Sequence, residues 1–363
     1  LVGRLIFFIF DIHTQSKFIY LYQKIIYTLC KQKNRFMALQ KKYGIEELIS
    51  LTKKDMGLVN DLIIQRTISN TDMIPKVSQY LISSGGKRLR PMLTIASSKL
   101  CECKNNYYIP LAAGVEFMHT ATLLHDDVVD DSEMRRGKIA ARMLWGNEAS
   151  VLLGDYLLSI SFEILTGAGN LEILETISTT TQNIALGQMQ EVSQPFADSS
   201  PETWEKITQL KHASLFRAGA VCASIWGEAS PHTSETLGKF GLELGMASLL
   251  QKDLETVCDH GLMIQAIEKE KVLYPMSLWL EKGLEPGDSK RVREILSHLH
   301  QTPKFLEKDW KELLSWCWIP VQQKIEAHLE LARFHLDQLD DLECSNLRKL
   351  TEFETQPVPE PVS

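Results

Sequence analysis

The chain has 363 residues, of which 46 are acidic and 39 basic, giving a formal charge of −7. Apolar residues make up 44% and charged residues 23%, average values that exclude a disordered, collagen-like or disulfide-stapled protein. The mild acidity argues against general nucleic-acid binding but is compatible with a locally basic site for an anionic ligand.

In chain order, residues 1–36 hold two apolar runs, Leu5–Phe10 and Phe18–Cys30. Neither reaches the roughly 18 apolar residues of a membrane-spanning helix, so no transmembrane segment is expected. The flanks are basic (Arg4, Lys17, Lys24, Lys31, Lys33 and Arg35), which suits peripheral membrane contact or a targeting segment, although no small-residue cleavage site is evident. We expect residues 1–36 to be an extension outside the working domain.

From Met37 the pattern is helical. Ile45, Leu48, Ile49 and Leu51, then Met56, Val59, Leu62 and Ile63, recur at helical spacing. Ser83-Ser84-Gly85-Gly86 breaks one helix, and Pro91 sits near the first turn of the next, expected over Met92–Leu100. Further helices are expected over 110–133, 149–165, 171–192, 204–226 and 234–257. Several are apolar all round, as in helices inside a large bundle. Asp198-Ser199-Ser200-Pro201 reads as a loop with a capped helix start, and Gly283–Gly287 and Gln301–Pro303 as breaks. Strand-like alternation is scarce. The pattern predicts one all-α domain over residues 37–335, followed by a tail, 336–363, whose proline-containing end Gln356–Ser363 is frayed.

The cysteines number seven and are widely spread. An odd set in a chain this long reads as reduced thiols in a cytosol-like compartment. A targeting role for residues 1–36 would instead place the protein in an organelle matrix. Cys101-Glu102-Cys103 has no second Cys or His pair at zinc spacing and reads as a surface turn.

The strongest chemical signal is His119-Thr-Ala-Thr-Leu-Leu-His125-Asp126-Asp127-Val-Val-Asp130-Asp131. On a helix Asp126 and Asp130 lie one turn apart on one face, with His119 two turns before. Stacked carboxylates repel unless a cation lies between them, and Leu123, Leu124, Val128 and Val129 make solvation a poor answer. Hard oxygen ligands with room for water and substrate oxygens suit Mg²⁺. Asp131 and Glu133 read more simply as a solvated helix end.

Cations surround this motif in sequence. Gly85-Gly86-Lys87-Arg88-Leu89-Arg90-Pro91 places three before a helix start, Arg135-Arg136-Gly137 follows the carboxylates, and Lys211 lies further on. Arg88 reads best as surface charge. Together with Mg²⁺ they point to a polyanion, most simply a diphosphate.

Gly85–Pro91, Phe117–Gly137 and Leu152–Leu158 closely resemble the trans-prenyltransferases, or polyprenyl diphosphate synthases, of octaprenyl diphosphate synthase type. The likeness runs from about Met37 to Trp279. It implies an isoprenoid synthase fold, a single helical bundle around a central cavity, usually homodimeric. It also implies Mg²⁺-dependent condensation of isopentenyl diphosphate with an allylic diphosphate, such as farnesyl diphosphate. The resemblance assigns Mg²⁺ to Asp126 and Asp130, with Asp127 supporting, and assigns the allylic diphosphate to Arg135. It assigns isopentenyl diphosphate to Lys87, Arg90, His119 and Arg136, and the leaving diphosphate to Lys211. Gly187-Gln188-Met-Gln-Glu191 resembles another family segment, with Gln188 and Glu191 facing the site. Asp155 is expected to anchor a helix. Small residues, Ala121 and Thr122, stand just upstream of Asp126, where aromatic rings would close the product tunnel. A long polyprenyl chain of the kind used in quinones is therefore expected, unless Ala121 serves only close helix packing.

One family feature is degraded. The second Asp-Asp-x-x-Asp motif is here Lys252-Asp253-Leu-Glu255-Thr256, and the residue after Lys211 is His212. Three readings stay open: Lys252 stands in for metal charge, the site lies one turn away at Glu255 and Asp259, or the motif is lost. Glu268–Pro275 bears only a faint likeness to a lysine-containing family stretch. The expected function is a long-chain prenyltransferase. The alternative is a catalytically impaired subunit that regulates or stabilises an active synthase in a heterodimer. A terpene cyclase is disfavoured by Lys87, Arg90 and His119, which imply a second diphosphate.

Overall fold

The computed structural model describes residues 49–50, 52–71, 73–83, 86–135, 137–194, 199–269, 271–282, 303–339 and 342–352. Residues 1–36, most of the two breaks expected between 283 and 303, and the end of the tail lie outside them. Helix α1 covers residues 52–66. It is followed by α2 (Met73–Ser83), α3 (Leu89–Leu100) and α4 (Tyr108–Val129). A short antiparallel hairpin, β1 (Met134–Arg135) and β2 (Lys138–Ile139), pairs Met134 with Ile139. Then come α5 (Ala141–Trp145), α6 (Asn147–Thr166), α7 (Leu171–Ser193) and α8 (Pro201–Thr208). A π-helical turn, Gln209–Ala213, joins α8 to α9 (Ser214–Trp226). The remainder is α10 (Pro231–Cys258), α11 (His260–Glu268), α12 (Tyr274–Lys282), α13 (Pro303–Asp337), α14 (Ser345–Arg348) and a 3₁₀ turn, Lys349–Thr351.

The long helix α4 is central because its first half is almost entirely apolar. Every residue from Leu111 to Met118 is buried, and α4 packs against α3, α6 and α9. Gly114 lets α6 approach: a Cβ there would meet Leu165 Cγ at 3.1 Å. The Ser161 hydroxyl then donates to the Gly114 carbonyl at 2.8 Å across the same contact. On the other side α10 packs against α9 and α13. The helix starts follow ordinary capping chemistry. Asn170 accepts from Glu172 N and Ile173 N, and Ser200 accepts from Thr203 N ahead of Pro201.

Two boundaries differ from the sequence reading. The helix expected to reach Glu133 stops at Val129, because Asp131 takes a positive φ of 48° and the chain turns into the hairpin. The packed body also runs past residue 335. Leu336, Leu339, Cys344, Leu347 and Leu350 are buried in the largest core cluster, so the first part of the expected tail belongs to the core. Cys101–Cys103 forms the expected turn, with Glu102 at φ 50°.

Among the described residues one helix, α6, is long and apolar enough to cross a membrane. It packs against α4 within the bundle.

Candidate active site

The site forms where the C-terminal end of α4 meets α7, the π turn, α10 and the segment before α12. Asp126 lies in the last turn of α4 and Asp130 caps it. Their side chains are only 13% and 21% exposed. Each faces a lysine from elsewhere in the chain. Lys211 Nζ lies 3.5 Å from Asp126 Oδ1 and 2.5 Å from Glu191 Oε2. Lys271 Nζ lies 3.1 Å from Asp130 Oδ2.

Local sequence explains how Lys211 arrives there. The π turn inserts an extra residue into the helical path, which re-aims the side chains around it. Gly187 allows the turn to sit on α7, since a Cβ there would meet Lys211 N at 2.8 Å. Lys211 thus reaches Glu191, one turn further along α7.

The charges decide each group's state. Burial pushes the Asp126 carboxyl above its ordinary range, with Lys211 and Lys271 pulling the other way. Burial acts likewise on Asp130, but Lys271 and Lys211 outweigh it and hold that carboxyl below the ordinary range. Burial alone would lower Lys271, yet Asp130, Glu191 and Asp126 hold it well above the usual amine value. The His212 imidazole is kept neutral by burial and by the cations Lys211, Lys252, Arg90 and Lys271.

Two of the family-implied site residues, Asp127 and Arg135, meet each other. Asp127 is 1% exposed and is clamped by Arg135, whose Nε donates to both carboxylate oxygens at 2.8 Å. Asp127 therefore faces a guanidinium, whereas Asp126 and Asp130 face lysines. Arg135 is correspondingly committed along one edge, while its charge still acts on Asp126 and Asp130. Arg136 lies outside the described residues.

A second basic group lies between α3, α4, α9 and α10. Arg90 Nη1 is 3.2 Å from His119 Nε2, and the Arg90 guanidinium lies 4.3 Å from the centroid of the Phe216 ring. Lys87 pairs with Glu255 at 3.6 Å. Arg88 is not a surface charge: it adopts φ 50° and pairs with the buried Glu116. The Gln188 amide is buried, and neither its oxygen nor its nitrogen meets a partner among the described residues. Asp155 is exposed and pairs with His125 at 3.3 Å, linking α6 to α4.

The degraded motif on α10 does not assemble a carboxylate site. Asp253 is 5% exposed, and its Oδ2 accepts from Trp204 Nε1 and Tyr274 N, each at 2.9 Å. It is a structural residue that ties α8 and the start of α12 to α10. Glu255 accepts from Gln251 at 3.2 Å, and Asp259 caps α11 by accepting from Leu262 N at 3.0 Å. Glu255 and Asp259, the one-turn alternative, are thus each engaged in a local contact.

Sequence reasoning missed Lys271. Its signal was the Lys271-Val-Leu-Tyr-Pro275 stretch just before α12, which on its own resembles the family only faintly.

Comparison with known proteins bears on this arrangement. The profile of the polyprenyl synthetase family matches residues 71–270, more than half of the chain. The chain belongs to the polyprenyl synthetase family. It is 39% identical over 214 residues to octaprenyl diphosphate synthase of Escherichia coli (strain K12), covering 58% of this chain and 66% of the relative. The chain thus spans just under two thirds of that relative's length. It is 33% identical over 236 residues to the octaprenyl diphosphate synthase of Haemophilus influenzae, covering 64% of this chain and 70% of the other. A decaprenyl diphosphate synthase from Rhodobacter capsulatus superposes with a TM-score of 0.78 at 29% identity, over 87% of this chain and 100% of that one. The all-α architecture is therefore the isoprenoid synthase fold.

The Mg²⁺ that the family implies suits the first carboxylate pair and not the α10 segment. Among the described residues no group of three or more His, Cys, Asp or Glu side chains forms a metal cage. Two carboxylates one turn apart, with lysines beyond them, match a cation that takes one or two protein carboxylates and fills its shell with water and phosphate oxygens.

Proposed function

We propose that the chain is a Mg²⁺-dependent long-chain trans-polyprenyl diphosphate synthase, condensing isopentenyl diphosphate with an allylic diphosphate such as farnesyl diphosphate. The observation that carries this reading is the pair of opposed contacts Asp126–Lys211 and Asp130–Lys271. Two carboxylates for a cation and two lysines for an anion meet at one place. The names of the relatives, octaprenyl and decaprenyl diphosphate synthases, support a long product, of the kind used as quinone side chains.

Asp126 and Asp130 would hold Mg²⁺. Bound there, the metal supplies positive charge to the departing diphosphate. Lys211 and Lys271 exchange their carboxylate partners for diphosphate oxygens and stabilise the charge that grows as the allylic C–O bond breaks. Lys211, whose side chain is almost fully buried, acts there with little screening by water. Lys87, Arg90 and His119, with Arg136, would hold isopentenyl diphosphate so that its double bond faces the forming cation. Gln188, whose buried amide meets no partner among the described residues, would contribute a donor to bound substrate. After the new C–C bond forms, a proton passes to the released diphosphate, which leaves the site carrying it. Arg135 acts by orienting the end of α4 through Asp127 and by its charge.

The exposed apolar residues Val151 and Leu152 on α6, and Leu186, Met189 and Val192 on α7, support a homodimer through these helices. The working unit would be the domain from about residue 37 onward, in a cytosol-like compartment. The non-catalytic-partner reading is weaker, because the first carboxylate–lysine cluster is complete. Incubating the purified chain with isopentenyl and farnesyl diphosphates and Mg²⁺, then separating the dephosphorylated products, tests the proposal. Elongated polyprenols support it, and unreacted farnesol overturns it.

A further inference from the structure

Arg88 and Arg90 stand where the chain enters α3, and each reaches a different residue of α4. Arg88 Nη1 donates to Glu116 Oε1, and Arg90 Nη1 lies 3.2 Å from His119 Nε2. Glu116 and His119 share a face of α4 by their spacing, so the start of α3 is tied to α4 by two successive rungs. The rungs differ in burial. Glu116 is only 6% exposed, whereas Arg90 and His119 are half-buried. A carboxylate placed like Glu116 is costly without its counterion, which keeps the Arg88–Glu116 pair closed.

The backbone at Arg88 is as unusual as its side chain. Its φ of 50° and ψ of 32° define a left-handed state that residues other than Gly, Asn and Asp seldom adopt. The Arg88 carbonyl accepts from Met92 N at 3.2 Å, which starts the α3 ladder. The chain therefore changes direction at Arg88, and the cations on either side of it diverge. Lys87 lies 3.6 Å from Glu255 of α10. Arg90 lies against His119 of α4 and the Phe216 ring of α9.

We infer that Arg88 and Glu116 are positioning residues, whose buried pair holds the left-handed turn that aims Lys87 and Arg90 at isopentenyl diphosphate. The inference rests on the proposed function, in which Lys87, Arg90 and His119 hold that substrate, and deepens it. Arg88 is engaged by Glu116 and acts only through its neighbours. Asp126 stands ten residues beyond Glu116 on α4, about 15 Å along the helix axis. A fault in the pair should therefore reach the isopentenyl side of the site and spare the allylic side.

The test is steady-state kinetics with each substrate varied in turn at saturating Mg²⁺, beside melting curves. Arg88→Gly with Glu116→Leu removes both charges together, supplies a residue that accepts the left-handed turn and leaves no buried charge unpaired. It should raise KM for isopentenyl diphosphate roughly tenfold to a hundredfold, the range that misplacing a binding group by about 1 Å can cost. KM for farnesyl diphosphate should stay close to that of the unaltered chain. Arg88→Lys, which keeps a cation for Glu116, should recover most of the loss. An unchanged KM for isopentenyl diphosphate in the double variant would overturn the inference. So would equal losses for both substrates, which would make the pair purely structural. If the double variant fails to fold, Glu116→Gln, which keeps an acceptor but no charge, decides by the same comparison. No condensation by the unaltered chain would instead overturn the proposed function, and calorimetry with isopentenyl diphosphate would then decide the inference on the same variants.

Discussion

Lys271 reaches across 141 positions of sequence to place its ammonium 3.1 Å from the Asp130 carboxylate. The backbone fixes this reach. Lys271 N donates to the Ala266 carbonyl at 2.8 Å, closing the end of α11, and Lys269 Nζ donates to the Asp131 carbonyl at 3.1 Å. Two lysines thus dock the segment before α12 onto the C-terminal end of α4, where unpaired carbonyls favour cations. Lys271→Gln should therefore lower turnover by on the order of 10²–10³, the loss typical of one electrostatic contributor to a transition state. Steady-state kinetics at saturating Mg²⁺ would show it, and an unchanged kcat would remove Lys271 from the reaction.

Asp126→Ala and Asp130→Ala should each abolish Mg²⁺-dependent binding of an allylic diphosphate. Each deletes half of the two-carboxylate site. Calorimetry with a non-reactive farnesyl thiodiphosphate, with and without Mg²⁺, is the measurement. Binding that keeps its metal dependence in both variants would dismiss this pair as the metal site.

Gln188→Leu should stabilise the fold while impairing the enzyme. The native amide is buried without a partner among the described residues, a cost of about 1–3 kcal/mol for a group left unsatisfied. The variant should melt several degrees higher and show lower kcat/KM. A lower melting temperature would mean that the amide serves the fold rather than the substrate.

Asp253 gives a pH signature. Its carboxyl is pushed up to about 6 by burial, against the Tyr274 N–H. The folded state therefore holds the proton more tightly than the unfolded chain. Its contribution to stability falls as pH rises from about 4 to about 6, and the full cost of the buried charge is present above that. Asp253→Asn keeps an acceptor for Trp204 and Tyr274 but does not ionise. Urea unfolding at pH 4.5 and pH 7 should show the Asn variant gaining on the native chain with rising pH, by on the order of 3 kcal/mol at most. A difference independent of pH would contradict the assignment.

Ala121 is 1% exposed and belongs to a core cluster with Val59, Phe117, Leu124 and Leu153. Ala121→Phe should overpack that cluster at a cost of about 1–3 kcal/mol and shorten the product. Chromatography of dephosphorylated products, alongside a melting curve, separates the two effects. An unaltered long product with a lower melting temperature would assign Ala121 to packing alone.

The helical class and the first carboxylate cluster were legible because their signals are local. Asp126 and Asp130 share a face by spacing alone, and α4 is apolar over so many turns that only a bundle interior could accept it. Glu191, on the same helix as Gln188, meets Lys211 Nζ at 2.5 Å. What was not legible depends on contacts distant in sequence. The partnership of Asp127 with Arg135 arises because the hairpin folds the chain back. The burial of Arg88 depends on Glu116, a residue of α4 with no signature of its own. Asp253 looked like the remnant of a metal motif, and only the arrival of Trp204 and Tyr274 N turns it into a structural acceptor. Lys271 was hidden because a docked loop has no periodicity to read.

The most direct test of the central claim is an assay of the purified chain alone with isopentenyl diphosphate, farnesyl diphosphate and Mg²⁺. The account predicts long-chain polyprenyl diphosphate that disappears on chelation of the metal and on Asp126→Ala. No product from this chain alone, with activity appearing only beside another synthase chain, would contradict it and make the protein a non-catalytic partner.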